Sequence, residues 1–279
     1  MKVVYTITPS WLIKKKKDFV DGVKNLEKLG FEVRNRRMRT RLPSPYQKAK
    51  ELHTAFSNKE VDIILAQRGG YSCMKLLPLL NFSLIRRNPK IFAGFSDLSA
   101  LLNAIYERTG RMTLHSPMVI NLSQPSRFTT RSFLNAVNGF PQKNLFAGVP
   151  VNVYRPGIGR GILKGGNLIT LTALMGTEWE IQTDDSILFF EDVNEKLYQV
   201  DRNFTHWILA GKFRKVRGLI LGNFKGLRSQ EVYEILSSQM KIDFPLVHCP
   251  YIGHVKNKIS LPVGARVELH TAKRSLTIR

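Results

Sequence analysis

Four short segments carry groups that could do chemistry where a fold could use them. Gly94-Phe95-Ser96-Asp97 follows the apolar run Ile91-Phe92-Ala93 and precedes Leu98 to Tyr106, an apolar helical stretch. A serine at such a strand-to-helix turn stands at the carboxyl edge of a sheet, where open α/β sheets bind ligands. The helix start beyond it offers free N–H groups and the positive end of a dipole to an oxyanion. The turn has the topology of a nucleophile elbow without G-x-S-x-G; taken singly, Ser96 and Asp97 read first as helix caps. Arg68-Gly69-Gly70-Tyr71 also follows a buried-type strand, and its glycines allow close backbone approach to a ligand or make a plain tight turn. Phe190-Glu191-Asp192-Val193 ends a hydrophobic strand in two carboxylates, either of which could hold a histidine or sit in a solvated loop. His254, preceded by Gly253, lies in a loop that could present its ring, though a single loop histidine is often incidental. None of the six histidines forms HxxxH or HExxH, so no zinc site is expected.

The elements that must position these groups alternate. Val3 to Ile7, Phe31 to Val33, Val61 to Ala66 and Ile91 to Ala93 read as strands. Lys14 to Leu29 carries Phe19, Val23, Leu26 and Leu29 at helical spacing, and Pro45 to Phe56 is a helix opened by Ser44 as cap. This rhythm predicts a parallel sheet covered by helices. From Ser123 to Pro156 the pattern loosens into a helix and a connection rich in Gly and Pro. Beyond it, strands are expected at Ser186 to Phe190, Gly218 to Gly222, Ala265 to His270 and Ser275 to Ile278, and helices at Leu168 to Met175 and Tyr198 to Ala210. The expected division is residues 1–140, a connecting segment 141–160, and residues 161–279.

At 279 residues and 43% hydrophobic, the chain can build a large core, and no apolar run approaches a membrane span. The N-terminal segment reads as a strand rather than a signal peptide. Cys73 and Cys249 form no CxxC pair, and two free thiols fit a reducing cytoplasm. The formal charge is +22, but only Lys14 to Lys17 form a run of four, and no nucleic-acid-binding motif is present. A solvated basic surface or an anionic substrate therefore accounts for the charge better than nucleic acid does.

The order and wording of these segments together resemble the LD-carboxypeptidase family of serine peptidases, which includes the microcin C immunity peptidases. The resemblance runs through Thr8-Pro9-Ser10, Arg68-Gly69-Gly70-Tyr71, Asn88-Pro89-Lys90, Gly94-Phe95-Ser96-Asp97, Thr109-Gly110 and His115-Ser116-Pro117. It continues through Gly165-Gly166-Asn167-Leu168, Leu188 to Val193, Tyr198 to Arg202, Gly222-Asn223-Phe224, Gly253-His254 and Leu261 to Gly264. It implies an α/β fold with a Rossmann-like N-terminal domain and a smaller β-rich C-terminal domain, in a cytoplasmic enzyme that is often a homodimer. It implies Ser96 as nucleophile, His254 as general base, Glu191 as the residue orienting it, and backbone N–H groups of Gly70 and Asp97 as oxyanion donors. No metal or organic cofactor is required. Phe95 stands for a usual tyrosine, and Ser72 and Ser116 for usual glycines.

For the typical member, the substrate implied is a murein tetrapeptide, a peptide with carboxylates, cut at an L,D bond to release terminal D-alanine in cell-wall recycling. Microcin-immunity members instead cut an amide joining an aminoacyl or peptidyl group to a nucleotide-like moiety, and Trp179 could stack on such a base or belong to the core. A reading from another class is a non-catalytic protein binding anionic ligands or nucleic acid. No membrane partner is expected.

Overall fold

The strands of the first half are short, and their apolar residues alternate between two cores, as a sheet covered on both faces requires. The computed structural model describes residues 1–279, and it runs β1 (Val3–Ile7), α1 (Lys16–Lys28), β2 (Glu32–Arg34), α2 (Pro45–Ser57), β3 (Ile63–Ala66), α3 (Phe82–Arg87), β4 (Ile91–Gly94), α4 (Ser99–Thr109), β5 (Thr113–His115) and α5 (Arg127–Val137). The second half runs β6 (Asn152–Arg155), β7 (Ile158–Asn167), α6 (Leu168–Thr172), β8 (Ser186–Val193), α7 (Leu197–Leu209), β9 (Gly218–Lys225), α8 (Ser229–Gln239), β10 (Leu246–His248), β11 (Leu261–Val263), β12 (Arg266–His270) and β13 (Ser275–Ile278). Two sheets result, ordered β11-β5-β4-β3-β1-β2 and β13-β12-β7-β8-β9-β10-β6. The first is parallel except for β11, an edge strand lent by the C-terminal half and antiparallel to β5. The second is parallel from β7 to β10 and antiparallel at both ends. The fold is thus α/β in two domains. No helix is long and apolar enough to cross a membrane.

Ile64, Ala66 and Phe92 face a core under α2 and α4, while Val4, Ile63, Leu65 and Ala93 face the other way. This second face belongs to a core of 34 buried residues that also takes Leu163, Ile187, Phe189 and Ile220 from the second sheet, so the two sheets pack as one body. A polar clamp pins the same junction. Asn103 on α4 donates to Gly165 O (2.9 Å) and accepts from Gly165 N (3.2 Å), and Ser99 Oγ accepts from Asn167 N (2.9 Å). Gly166 is obligatory there, because a Cβ would sit 2.2 Å from Ser99 Oγ.

Ser44 caps α2 in a full capping box with Gln47, and Pro45 occupies the first turn. Strand β7 is the main element the sequence conceals. Its four glycines mimic a loop, and each serves close packing: at Gly159 and Gly165 a Cβ would lie 1.9 Å from the carbonyl oxygens of Arg217 and Phe189. Strand β6 and the first residues of β7 fall inside residues 141–160. Strands β5 and β10 and helices α3 and α8 likewise went unsignalled. The helix expected over Leu168 to Met175 closes earlier, at Thr172, and the one expected over Leu98 to Tyr106 is opened by a 3-10 turn, Ser96–Leu98, and continues as α4.

Candidate active site

Strand β4 ends at Gly94, and the chain turns through Ser96 into α4. Ser96 has φ +66°, a left-handed conformation that costs a non-glycine residue about 1 kcal/mol or more. This tight turn holds the hydroxyl, part exposed, at the carboxyl edge of the first sheet.

Glu191 and Asp192 end β8 on the second sheet, and neighbouring positions of a strand point to opposite sides. Register between β8 and β9 slips here, Phe190 pairing with Leu221 but Asp192 with Phe224, a bulge of the kind that re-aims side chains. Glu191 is fully buried and meets His254. Asp192 instead accepts from Asn167 Nδ2 (3.0 Å), Ile169 N (2.9 Å) and its neighbour Val193 N (2.8 Å), tying β8 to the start of α6. Burial, seconded by the charge of Glu191, pushes Asp192 up to about 7 against those three donors. Burial pushes Glu191 up as well, but the hydrogen bond from His254 and the nearby charges of His254 and Lys258 outweigh it and hold Glu191 below the usual carboxylate value.

The loop after β10 brings His254 to both. Asn223 N, in the β9 bulge, donates to Ile252 O (2.9 Å), and Lys258 Nζ donates to Gly253 O. His254 Nδ1 donates to Glu191 Oε2 at 2.8 Å, and Ser96 Oγ donates to Nε2 at 3.1 Å. A carboxylate, an imidazole and a hydroxyl in this sequence can draw the proton from the serine. Gly253 is needed twice over: its φ is +106°, and a Cβ would lie 2.7 Å from both Cβ and Oε2 of Glu191. Gly253→Ala is expected to cost about 2–4 kcal/mol of stability and about a hundredfold in kcat/KM. Urea denaturation and turnover of one preparation check both; an unaltered kcat/KM would show that the close approach to Glu191 is immaterial.

Gly69 and Gly70 lie beside the serine. A Cβ on Gly69 would come 3.2 Å from Ser96 Cβ, and one on Gly70, at φ +141°, would strike Trp11 at 2.7 Å. The N–H of Gly70 donates to no protein group, and that of Asp97 belongs to the first turn of a helix, where no intrahelical partner exists. The carboxylate of Asp97 ties the surrounding loops together, accepting from Ser10 Oγ (2.6 Å) and Cys73 N (3.1 Å). Beneath it, buried Lys48 donates to Ser10 O (2.8 Å) and Ser72 Oγ (2.7 Å). Ser72 takes φ +115°, which suits a glycine; its hydroxyl compensates by satisfying Lys48. Both cysteines are free and buried.

Three neighbours of the site escaped the reading of isolated motifs. Phe95 is buried against His254 (ring centroids 4.8 Å) and His115 (5.7 Å), with Lys258 Nζ 3.7 Å from its ring centre. Burial lowers Lys258 to about 8, with the charge of Glu191 opposing. Burial lowers His115 to about 3, so it is neutral; its two nitrogens and Glu191 Oε1 have no hydrogen-bond partner. Only the His115-Ser116-Pro117 wording pointed to His115, and nothing local marked Lys258 or Lys48. The stacking surface suggested for Trp179 is taken by the protein: Phe82 stacks on it (5.5 Å) and the Arg108 guanidinium covers it (4.7 Å). Arg108 closes α4 at the end opposite Ser96, so Trp179 serves packing there. No group of three or more His, Cys, Asp or Glu is arranged to hold a metal ion.

Comparison with known proteins now adds identity to geometry. The profile of the LD-carboxypeptidase N-terminal domain matches residues 4–116, and that of the LD-carboxypeptidase C-terminal domain matches residues 160–269. The chain is 32% identical over 246 residues to a probable murein peptide carboxypeptidase of Bacillus subtilis, covering 83% of this chain and 76% of the relative. It is 28% identical over 308 residues to the microcin C7 self-immunity protein MccF of Escherichia coli, covering 94% and 88%. Among solved structures, an MccF-like protein from Bacillus anthracis superposes with a TM-score of 0.89 at 27% identity, covering 99% of this chain and 96% of that one. Two domain matches in the same order, and a relative above 30% identity across most of both chains, establish that this chain belongs to the LD-carboxypeptidase family of peptidases.

Proposed function

We propose that the chain is a serine-type LD-carboxypeptidase that removes the terminal D-alanine of a murein tetrapeptide. The observation that carries this reading is the line from Glu191 through His254 to Ser96, at 2.8 and 3.1 Å, built from both domains. In the proposed reaction, His254 Nε2 takes the hydroxyl proton as Ser96 Oγ attacks the carbonyl carbon of the L,D bond. Glu191 keeps the proton of Nδ1 in place and balances the imidazolium. The N–H groups of Gly70 and Asp97 hold the oxyanion of the tetrahedral intermediate. His254 then passes its proton to the amine of D-alanine, which leaves. Water, deprotonated by the same imidazole, hydrolyses the acyl-serine and regenerates the hydroxyl.

The name of the Bacillus subtilis relative supports a murein peptide as substrate. Cleavage of an aminoacyl-nucleotide amide has the name of the Escherichia coli relative behind it, but the ring of Trp179 is already engaged by Phe82 and Arg108, which argues against its use as a stacking platform here. Incubation with free murein tetrapeptide, read by mass spectrometry, is expected to yield tripeptide and alanine, with an aminoacyl sulfamoyl adenosine turned over at least tenfold more slowly. Preferential cleavage of the adenosine compound would reverse the substrate assignment, and inertness toward both would remove the peptidase reading.

A further inference from the structure

Part of the formal charge of +22 gathers in one groove beside the loop that follows β2. Past β2, the loop that carries Arg37, Arg39 and Arg41 bends over α2 and encloses, with Lys50 and Glu51 of that helix, a groove of about 620 Å³. Its cations are exposed and its one carboxylate is already occupied. Glu51 is buried and accepts from Thr8 N (3.1 Å), Asn35 Nδ2 (3.0 Å) and Arg39 Nη2 (3.0 Å). Arg37, Arg41 and Lys50 make no ion pair. Cations gathered in a concavity without counter-charge repel one another, and an anion entering the groove relieves that repulsion.

The groove is joined to the serine through the loops of the same sheet edge. Gln67, the residue after β3, donates to Arg37 O (3.1 Å); two residues later, Gly69 packs against Ser96. In the strand order β4-β3-β1-β2, three steps separate the loop bearing Ser96 from the loop bearing the arginines. At about 4.8 Å per step this is about 14 Å. An extended peptide of four residues spans about 14 Å at roughly 3.4 Å each.

We infer that Arg37, Arg41 and Lys50 form a subsite for an anionic group, carboxylate or phosphate, carried about four residues to the acyl side of the bond cut at Ser96. This rests on the peptidase reading above and adds to it a preference for substrates charged at their far end. The acyl portion runs along the sheet edge, past Gly70 and Thr8, and ends among the three cations. The chemistry at the serine is untouched, so the subsite acts on KM and on capture rate rather than on kcat.

The test uses three tetrapeptides with the same L,D scissile bond, one N-acetylated, one N-succinylated and one extended by an N-terminal phosphoserine. For the wild-type protein, the KM of the charged peptides is expected to be about tenfold below that of the acetylated one at low salt, since each exposed pairing supplies a factor of a few. The advantage is expected to vanish near 1 M salt, where screening length falls to about 3 Å. The R37A/R41A/K50A variant is expected to lose the advantage while keeping wild-type kcat and KM on the acetylated peptide. Preference for phosphoserine over succinyl names a phosphate ester as the natural group, and the reverse names a carboxylate. Equal KM for all three peptides in the wild type, or an advantage that survives the triple substitution, overturns the subsite. Binding of the same peptides to Ser96→Ala, measured by calorimetry, reads the subsite without turnover. It therefore separates a wrong subsite from a wrong reaction.

Discussion

Ser96→Ala is expected to lower kcat/KM on an L,D-peptide by about 10⁴-fold or more while leaving the fold intact. The hydroxyl is the only group at the sheet edge within reach of His254 Nε2, at 3.1 Å, and alanine removes it without enlarging the turn. The backbone supplies a second readout. Residue 96 sits at φ +66°, where a Cβ is strained and glycine is not. Ser96→Gly should therefore be as inactive as Ser96→Ala but more stable than it by about 1 kcal/mol, or a few degrees in Tm for a chain of this size. Both variants lack the hydroxyl, so their difference isolates the strain held in the turn. Substantial activity in Ser96→Ala, within tenfold of wild type, would mean that another group attacks the substrate. A glycine variant no more stable than the alanine one would mean that the turn relaxes at little cost.

Glu191→Gln is the second large expected effect, a fall in kcat/KM of about 10⁴-fold with little change in volume. A carboxylate can only accept, so it holds the proton on Nδ1 and leaves Nε2 free to take one from Ser96. An amide can turn its NH₂ toward Nδ1, which sends the ring proton to Nε2 and aims a donor at the serine. The neighbouring Asp192→Asn makes the control. Asp192 touches Asn167, Ile169 and Val193 rather than the histidine, so its loss should appear chiefly in stability, with activity kept within about tenfold. Equal damage to activity from both substitutions would remove the distinction between the two acids.

Acidification offers an independent check on Glu191. Its folded-state pKa lies below the ordinary value of 4.5, so the folded state binds its proton less tightly than the unfolded chain. The stabilisation this gives is present above pH 4.5 and is lost as the pH falls through the folded-state value. Wild type should therefore lose more stability on acidification below pH 4.5 than Glu191→Gln does, as read from urea midpoints.

How much of this was legible in the sequence varied by segment. The buried strands β1, β3, β4 and β8 announced themselves as apolar runs, and α2 by Ser44, Pro45 and an amphipathic pattern, because these signals are local. Strand β7 did not, since its glycines answer to carbonyl groups more than 20 residues away in sequence. Strand β11 lies in the stretch from Leu261 to Arg279 that reads as all-β, but its partner did not show: it pairs with β5 of the first sheet, joining Leu261 to His115. Lys258 and Lys48 looked like two more surface lysines among 43 basic residues, and only packing buried them beneath the site.

The sequence by itself determined the family, an α/β first half followed by a β-rich second, and a serine, an acid pair and a histidine at the ends or turns of elements, because local periodicity and motif wording need no third dimension. Local patterns left Glu191 and Asp192 open and only the family wording pointed to Glu191; tertiary structure made the contact itself, turning Glu191 to His254 and bringing the imidazole to a hydroxyl 158 residues away. It also decided that the ring of Trp179 is engaged while a basic groove stays open. Those outcomes depend on a bulge between β8 and β9, on a glycine with no room for a Cβ, and on two sheets sharing one core. Each is a contact between residues distant in the chain, and no local pattern encodes such a contact.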